Sequence, residues 1–194
     1  MKKKISLLFL SFAILAACND ADNKADDTVE SADAANENRQ DVVKNDTSLR
    51  TDEKSSEFLV RAANSTMAEL EMVRNAGQVG TIQHVKNFAS MLAKDHETLH
   101  QEIKSLAATK NVVLPTAIDG EDQKEVNDLA GKTGKNYDKE FINEMIDRHK
   151  SGIKLYEDAA KDANDADVKA FANNMLAKLR MHLDSAQAIK KMHF

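Results

Sequence analysis

TIQHVKNFASMLAKDHETLHQEIKSLAATK, residues 81–110, decides how this chain folds. Val85, Phe88, Leu92, Leu99, Ile103 and Leu106 recur every three or four residues, the period of one helix face and not the alternation of a strand. Thr81 reads as an N-cap, and Asn111 and Pro115 stop the helix. A single amphipathic helix of this length gains most of its stability from packing its apolar stripe. It therefore requires partners, and the rest of the chain supplies them.

Upstream, Phe58, Leu59, Ala62, Ala63, Thr66, Leu70 and Val73 repeat the helical spacing and end at Gly77 and Gly80. Downstream, a third helix runs from about Asn136 through Phe141, Ile142, Met145, Ile146, Ile153 and Tyr156 to Ala163. Asn164-Asp165 makes a corner, and a fourth helix carries Val168, Phe171, Ala172, Met175, Leu176, Leu179, Ala186 and Ile189. Four such stripes hide from water only against each other, which predicts an all-α four-helix bundle over residues 51–194. Val85-Lys86-Asn87-Phe88-Ala89 returns as Val168-Lys169-Ala170-Phe171-Ala172, so the bundle reads as two helical hairpins. The connector from Asn111 to Lys135, with a short helix over 121–130, is long for neighbouring antiparallel helices. It is long enough to run the length of the bundle, as in ferritin-like folds with one crossover.

The first fifty residues are of another kind. Met1 to Lys4 is basic and Ile5 to Ala17 is apolar or small, a run too short to span a bilayer and of signal-peptide form. It ends in Leu15-Ala16-Ala17-Cys18, which resembles the bacterial lipobox and predicts cleavage before Cys18 and lipidation of its thiol. Cys18 is the lone cysteine of the chain and has no internal disulfide partner. Residues 19–50 carry nine acidic and four basic side chains and almost no large aliphatic ones, which predicts a disordered acidic tether. The protein is thus expected in the cell envelope, held by its lipid at the outer membrane or the periplasmic face of the inner one. A formal net charge of −5 with no basic stripe argues against nucleic acid as a partner.

The residues that interrupt the stripes carry the functional information. Glu69 has Met72 and Val73 one turn ahead; Glu71 faces outward. His96 lies between Leu92 and Leu99, His149 between Met145 and Ile153, and His182 between Leu179 and Ala186. Each long helix offers one metal-capable side chain to the interior, with Asp95 beside His96 as a further ligand or orienting partner. Counted from the hairpin corners, a crossover bundle puts Glu69, His149 and His182 on one level with His96 a turn or two away. An up-down-up-down bundle levels the three histidines and displaces Glu69. Either way the set suits a transition metal such as Zn, Fe or Cu. The alternative for each residue is a core polar group hydrogen-bonded across helices. Ala93, Ile146 and Leu179 occupy positions where a di-iron site needs carboxylates, which disfavours ferroxidase chemistry. His84, His100 and His193 read as surface residues; Met67, Met72, Met145, Met175 and Met181 read as core filler.

Together Met67-Ala68-Glu69-Leu70-Glu71, Val85-Lys86-x-Phe88-Ala89-x-Met91-Leu92, Asp95-His96, Leu114-Pro115, Met145-Ile146-x-x-His149, and Val168-Lys169-x-Phe171-Ala172 with His182-Leu183 resemble a bacterial family known as domain of unknown function 4142. The resemblance covers 58–189 and implies a ferritin-like bundle exported to the periplasm or outer membrane, with no established activity. Relatives commonly carry a Gly pair before the first Glu motif, where this chain has Asn64-Ser65. Three functions remain in competition: a non-catalytic bundle binding a metal or small ligand in envelope stress or metal handling, a scaffold that docks an envelope protein, and, weakest, an enzyme.

Overall fold

The computed structural model of the protein describes residues 27–42 and 51–194, in which six helices form and no strand. Helix α1 spans Asp27–Val42, α2 Glu53–Val79, α3 Gln83–Thr109, α4 Gly120–Ala130, α5 Gly134–Asp162 and α6 Ala166–His193. The predicted long helices are α2, α3, α5 and α6, and the short connector helix is α4. Asn111 adopts a left-handed conformation, φ 56°, directly after α3, the backbone turn that ends a helix and that Asn tolerates. Asp119 and Asp165 cap α4 and α6 by accepting from backbone N–H groups of their first turns.

One capping expectation is corrected. Thr81 does not cap α3; the cap position is Ile82, which has no side chain able to do it. The Asp138 carboxylate, from α5, accepts instead from the backbone N–H of Thr81 and of Ile82, and from the Thr81 hydroxyl. The α2–α3 corner is therefore held by a residue almost sixty positions away, which a local reading cannot find.

That contact also fixes the topology. The α2–α3 corner lies beside the start of α5, while the α5–α6 corner meets the start of α2 through Asp52 and the end of α3 through Lys110 and Asp165. The two corners are at opposite ends of the bundle. Helix α3 thus finishes at one end and α5 begins at the other, and the connector crosses the full length, as in ferritin-like folds.

Two apolar clusters fill the interior. One holds Phe58, Leu59, Ile103, Tyr156 and Val168; the other holds Met72, Phe88, Leu92, Tyr137 and Phe141. Met72 and Met145 are core as predicted, but Met181 stands in solvent, because its neighbour His182 takes the inward position.

Residues 1–26, with the predicted leader and Cys18, lie outside the described residues. The expectation of a disordered tether over residues 19–50 fails for 27–42, which form α1 against the bundle. Apolar area is not what holds this segment. Helix α1 buries little of it, chiefly Val29 and Ala32, and is held by side-chain to backbone hydrogen bonds. Asn36 donates to the Val113 carbonyl at 3.0 Å and accepts from the Val113 N–H at 2.7 Å, as a strand partner does. Arg39 donates to the Asn111 carbonyl and Thr28 to that of Ala117. The connector, which has no ladder partner of its own, is satisfied by α1.

On its other side the connector is pinned by Asn64, which bonds both the backbone N–H and the carboxylate of Asp119. Asn36→Ala leaves a partly buried Val113 N–H and carbonyl without partners and is expected to lower stability by about 1–3 kcal/mol. Urea unfolding measures this; an unchanged midpoint would show that α1 does not rest on the connector.

Candidate metal centre

The three inward histidines meet. His96 on α3, His149 on α5 and His182 on α6 sit between the two apolar clusters, each only 1–2% exposed. Their ring centroids are 5.3–5.5 Å apart, a nearly equilateral triangle. One nitrogen from each lies within 4.8 Å of the others, and His149 Nε2 is 3.3 Å from His182 Nδ1.

Each ring has one nitrogen close to an acceptor outside the triangle, hydrogen-bonded to it in His149 and His182. His149 Nδ1 lies 2.8 Å from the Met145 carbonyl, one turn back on its own helix. His182 Nε2 is 3.0 Å from Asp95 Oδ2, and His96 Nδ1 is 2.9 Å from Glu69 Oε2. With those nitrogens placed as donors, His149 Nε2, His182 Nδ1 and His96 Nε2 are free as lone-pair ligands. Neither His96 nitrogen makes a well-aligned hydrogen bond: Nδ1 has only the close Glu69 carboxylate, and Nε2 is fully buried with no partner. An orphaned buried nitrogen is uncommon and costs on the order of 1–3 kcal/mol unless something fills its lone pair.

Glu69 and Asp95, predicted as ligands alongside the histidines, therefore stand one bond further out, as the acceptors that orient the imidazoles. Asp95 is the orienting partner that was one of its two predicted roles. Metal-binding histidines are commonly held in this way by a carboxylate or a backbone carbonyl. The bundle is the crossover form, yet His96 is not displaced from the others as that topology predicted. Glu69 lies ten residues before the end of α2, and His96 thirteen after the start of α3. Side chains tilt toward the N-terminus of their helix. On antiparallel neighbours Glu69 and His96 tilt toward each other and close the gap.

The electrostatics follow from burial. Burial pushes the His182 imidazole down, to about 4, against the pull of the Asp95 hydrogen bond. It pushes His149 down as well, with His96 adding to the effect. Burial alone raises the Glu69 carboxyl, but the His96 and His149 rings outweigh it and hold it at about 2. Asp95 is likewise desolvated, and hydrogen bonds from His182 and Lys178 bring it below the usual carboxylate range. Burial thus disfavours the charged forms of His149 and His182, while both carboxylates are held below their usual range.

A cavity of about 20 Å³ adjoins the triangle, lined by Glu69, His96, His149, Arg148 and Tyr156 among others. That is room for one water. The Tyr156 hydroxyl is buried there without a partner. Arg148, beside the site, binds Asp122, Glu125 and Glu144, and so ties α4 to α5 over this flank. Neither Tyr156 nor Arg148 was singled out in the sequence. The i,i+4 pair Glu144–Arg148 next to an inward histidine was the available signal for the arginine. Tyr156 sat inside an apolar stripe and gave none.

The fold and centre together define a class: a crossover four-helix bundle with a cluster of imidazoles at mid-height. The chain itself belongs to the family described as domain of unknown function (DUF4142), whose model matches residues 39–189. Most of α1 precedes that match. The structure is similar to a DUF305 fragment from Deinococcus radiodurans, with TM-score 0.66 and 12% identity over 73% of this chain and 98% of that one. It is also similar to CopM in its Cu(II)-bound form, with TM-score 0.62 and 14% identity over 72% and 97% of the two chains. For CopM in its Cu(I)-bound form the TM-score is 0.59 and the identity 16%, over 71% and 95%. At these identities the likeness is one of fold. No curated protein matches the chain.

The histidines also make stability depend on pH. His149 and His182 take up protons near the ordinary 6.5 when unfolded but resist them when folded, His182 until about pH 4. Between those values the unfolded chain binds more protons, so stability falls as pH falls. Metal-free protein is expected to lose about 2–3 kcal/mol between pH 7 and 4.5 from His182 alone, with a flatter profile in His182→Leu. Urea midpoints in the presence of chelator measure it, and parallel profiles for the two proteins would contradict the assignment.

Proposed function

We propose that the protein binds one transition-metal ion among His96, His149 and His182, with a divalent ion of copper or zinc as the cargo. The observation that carries this reading is the arrangement of ring nitrogens: one of each pair is held by an outer acceptor, and the other is left free toward a common centre. Metal–imidazole bonds of about 2.0–2.1 Å put ligand nitrogens about 3.3–3.6 Å apart in tetrahedral or trigonal geometry. The His149–His182 separation of 3.3 Å already meets this, and a shift of about an ångström by His96 completes the set.

Charge supports a divalent ion. Three neutral imidazoles contribute none, while Glu69 and Asp95 supply two negative charges one hydrogen bond away, so a doubly charged ion is balanced without bulk solvent. Imidazole ligands suit Cu, Zn, Fe and Ni, and among divalent ions copper binds such donors most tightly. The copper-bound forms of the structural neighbour CopM favour the same metal. No nucleophile or second carboxylate pair accompanies the ligands, and the reading is one of binding and handling, not catalysis.

Purified protein exposed to Cu²⁺ or Zn²⁺ and then to a mild chelator is expected to retain one ion per chain in the buried centre. His149→Ala removes it, whereas Glu69→Gln and Asp95→Asn keep the ligands and weaken binding about 10–100-fold. Equal retention by wild type and His149→Ala would leave a scaffold without a ligand, the docking role set out above, as the surviving function.

The same reading places this bundle in the cell envelope, joined to a membrane through lipid on Cys18. The basic start, the short apolar run and Leu15-Ala16-Ala17-Cys18 support it. No described helix is long and apolar enough to cross a membrane. Radiolabelled palmitate is expected to label the full chain expressed in a bacterium and to be absent from Cys18→Ala. Labelling that survives the substitution would refute the anchor.

A further inference from the structure

Two histidines read from the sequence as unremarkable surface residues face each other at one end of the bundle. His84 lies in the first turn of α3 and His193 at the end of α6, both exposed. His84 Nδ1 and His193 Nε2 are 3.0 Å apart, with ring centroids at 5.0 Å. We infer that this pair is a second, solvent-facing metal site, which takes a late first-row divalent ion such as Cu²⁺ on two imidazoles and completes its shell with water.

The separation is the first reason. Two cis nitrogens at about 2.0–2.1 Å from one ion, with an angle between square-planar and tetrahedral, lie about 2.8–3.4 Å apart. The observed 3.0 Å falls inside that interval, and the exposed rings turn modestly so that both lone pairs meet an ion set to one side of the line between them.

The surroundings leave the pair free for this. The nearby amide of Gln83 is engaged with Asn87 and does not compete for either ring. The rings come from two helices that meet along a thin seam, and an ion between them would join the beginning of one to the end of the other.

The site is separate from the buried centre. Twelve residues of α3 divide His84 from His96, a rise of about 18 Å. It also differs in kind. Open to solvent and with only two protein ligands, it exchanges its ion readily, whereas the buried triangle must open to load. An exposed two-imidazole site is the weaker of the two.

Cu²⁺ titration of the purified protein, followed by calorimetry at pH 7.5, tests the pair independently of the interior. Wild type is expected to bind two ions in two affinity classes. His84→Ala and His193→Ala should each lower the stoichiometry from two to one by removing the weaker class, and His149→Ala should retain that class. If the weaker class survives in both surface variants, or is lost in only one of them, the paired site is wrong. If His149→Ala removes nothing while the surface variants behave as stated, the buried centre fails and the surface site stands.

Discussion

A buried imidazole has two nitrogens to satisfy, and this bundle buries three such rings in one layer of its core. That constraint organises the molecule. The apolar interior is divided into two clusters with the polar layer between them. The residues that answer the ring nitrogens are drawn from every long helix: Glu69 from α2, Asp95 from α3, the Met145 carbonyl from α5, and His182 itself from α6. Shifting one long helix along its axis by a turn would leave a carboxylate or an imidazole buried and unpaired, which costs several kcal/mol. The layer therefore sets register as well as chemistry, a task that interchangeable leucines and alanines perform poorly.

The two flanks of the layer are unequal. Glu69 is sealed, with Tyr156 and Arg148 behind it and α4 tied across the outside. Asp95 is partly open and shares its second oxygen with the half-buried Lys178. Charge on the α2–α5 side is locked into a network of Arg148 and three carboxylates, while on the α3–α6 side one lysine alone stands over the aspartate.

Much of this was legible in the sequence, because amphipathic period and inward polar residues are local properties. The four helices, the connector helix and the inward aim of His96, His149 and His182 all follow from spacing of three and four. What failed was non-local. Thr81 has the composition of a cap, but that corner is held by Asp138 from α5; residues 27–42 have the composition of a tether, but Asn36 and Arg39 meet the unpaired carbonyls of the connector. Asn64, a departure from the usual Gly pair, proved to be the other clasp on that connector. Glu69 and Asp95 were placed in the right neighbourhood, but spacing shows which way a side chain points and not that each would reach an imidazole first. His84 and His193 pointed outward as expected, and their encounter depended on a topology that spacing left open.

Docking of α1 has a mechanical consequence for the anchor proposed at Cys18. If the whole segment to residue 50 were free, the bundle could roam far from its membrane. With α1 fastened, the leash is the nine peptide steps from Cys18 to Asp27, at most about 30 Å when fully stretched. The long helices are themselves about 40 Å from end to end. A body tied by a cord shorter than itself cannot turn over freely. Were Cys18 lipidated as proposed, the flank where α1 lies on the connector would be kept nearer the lipid and the far side turned away from it.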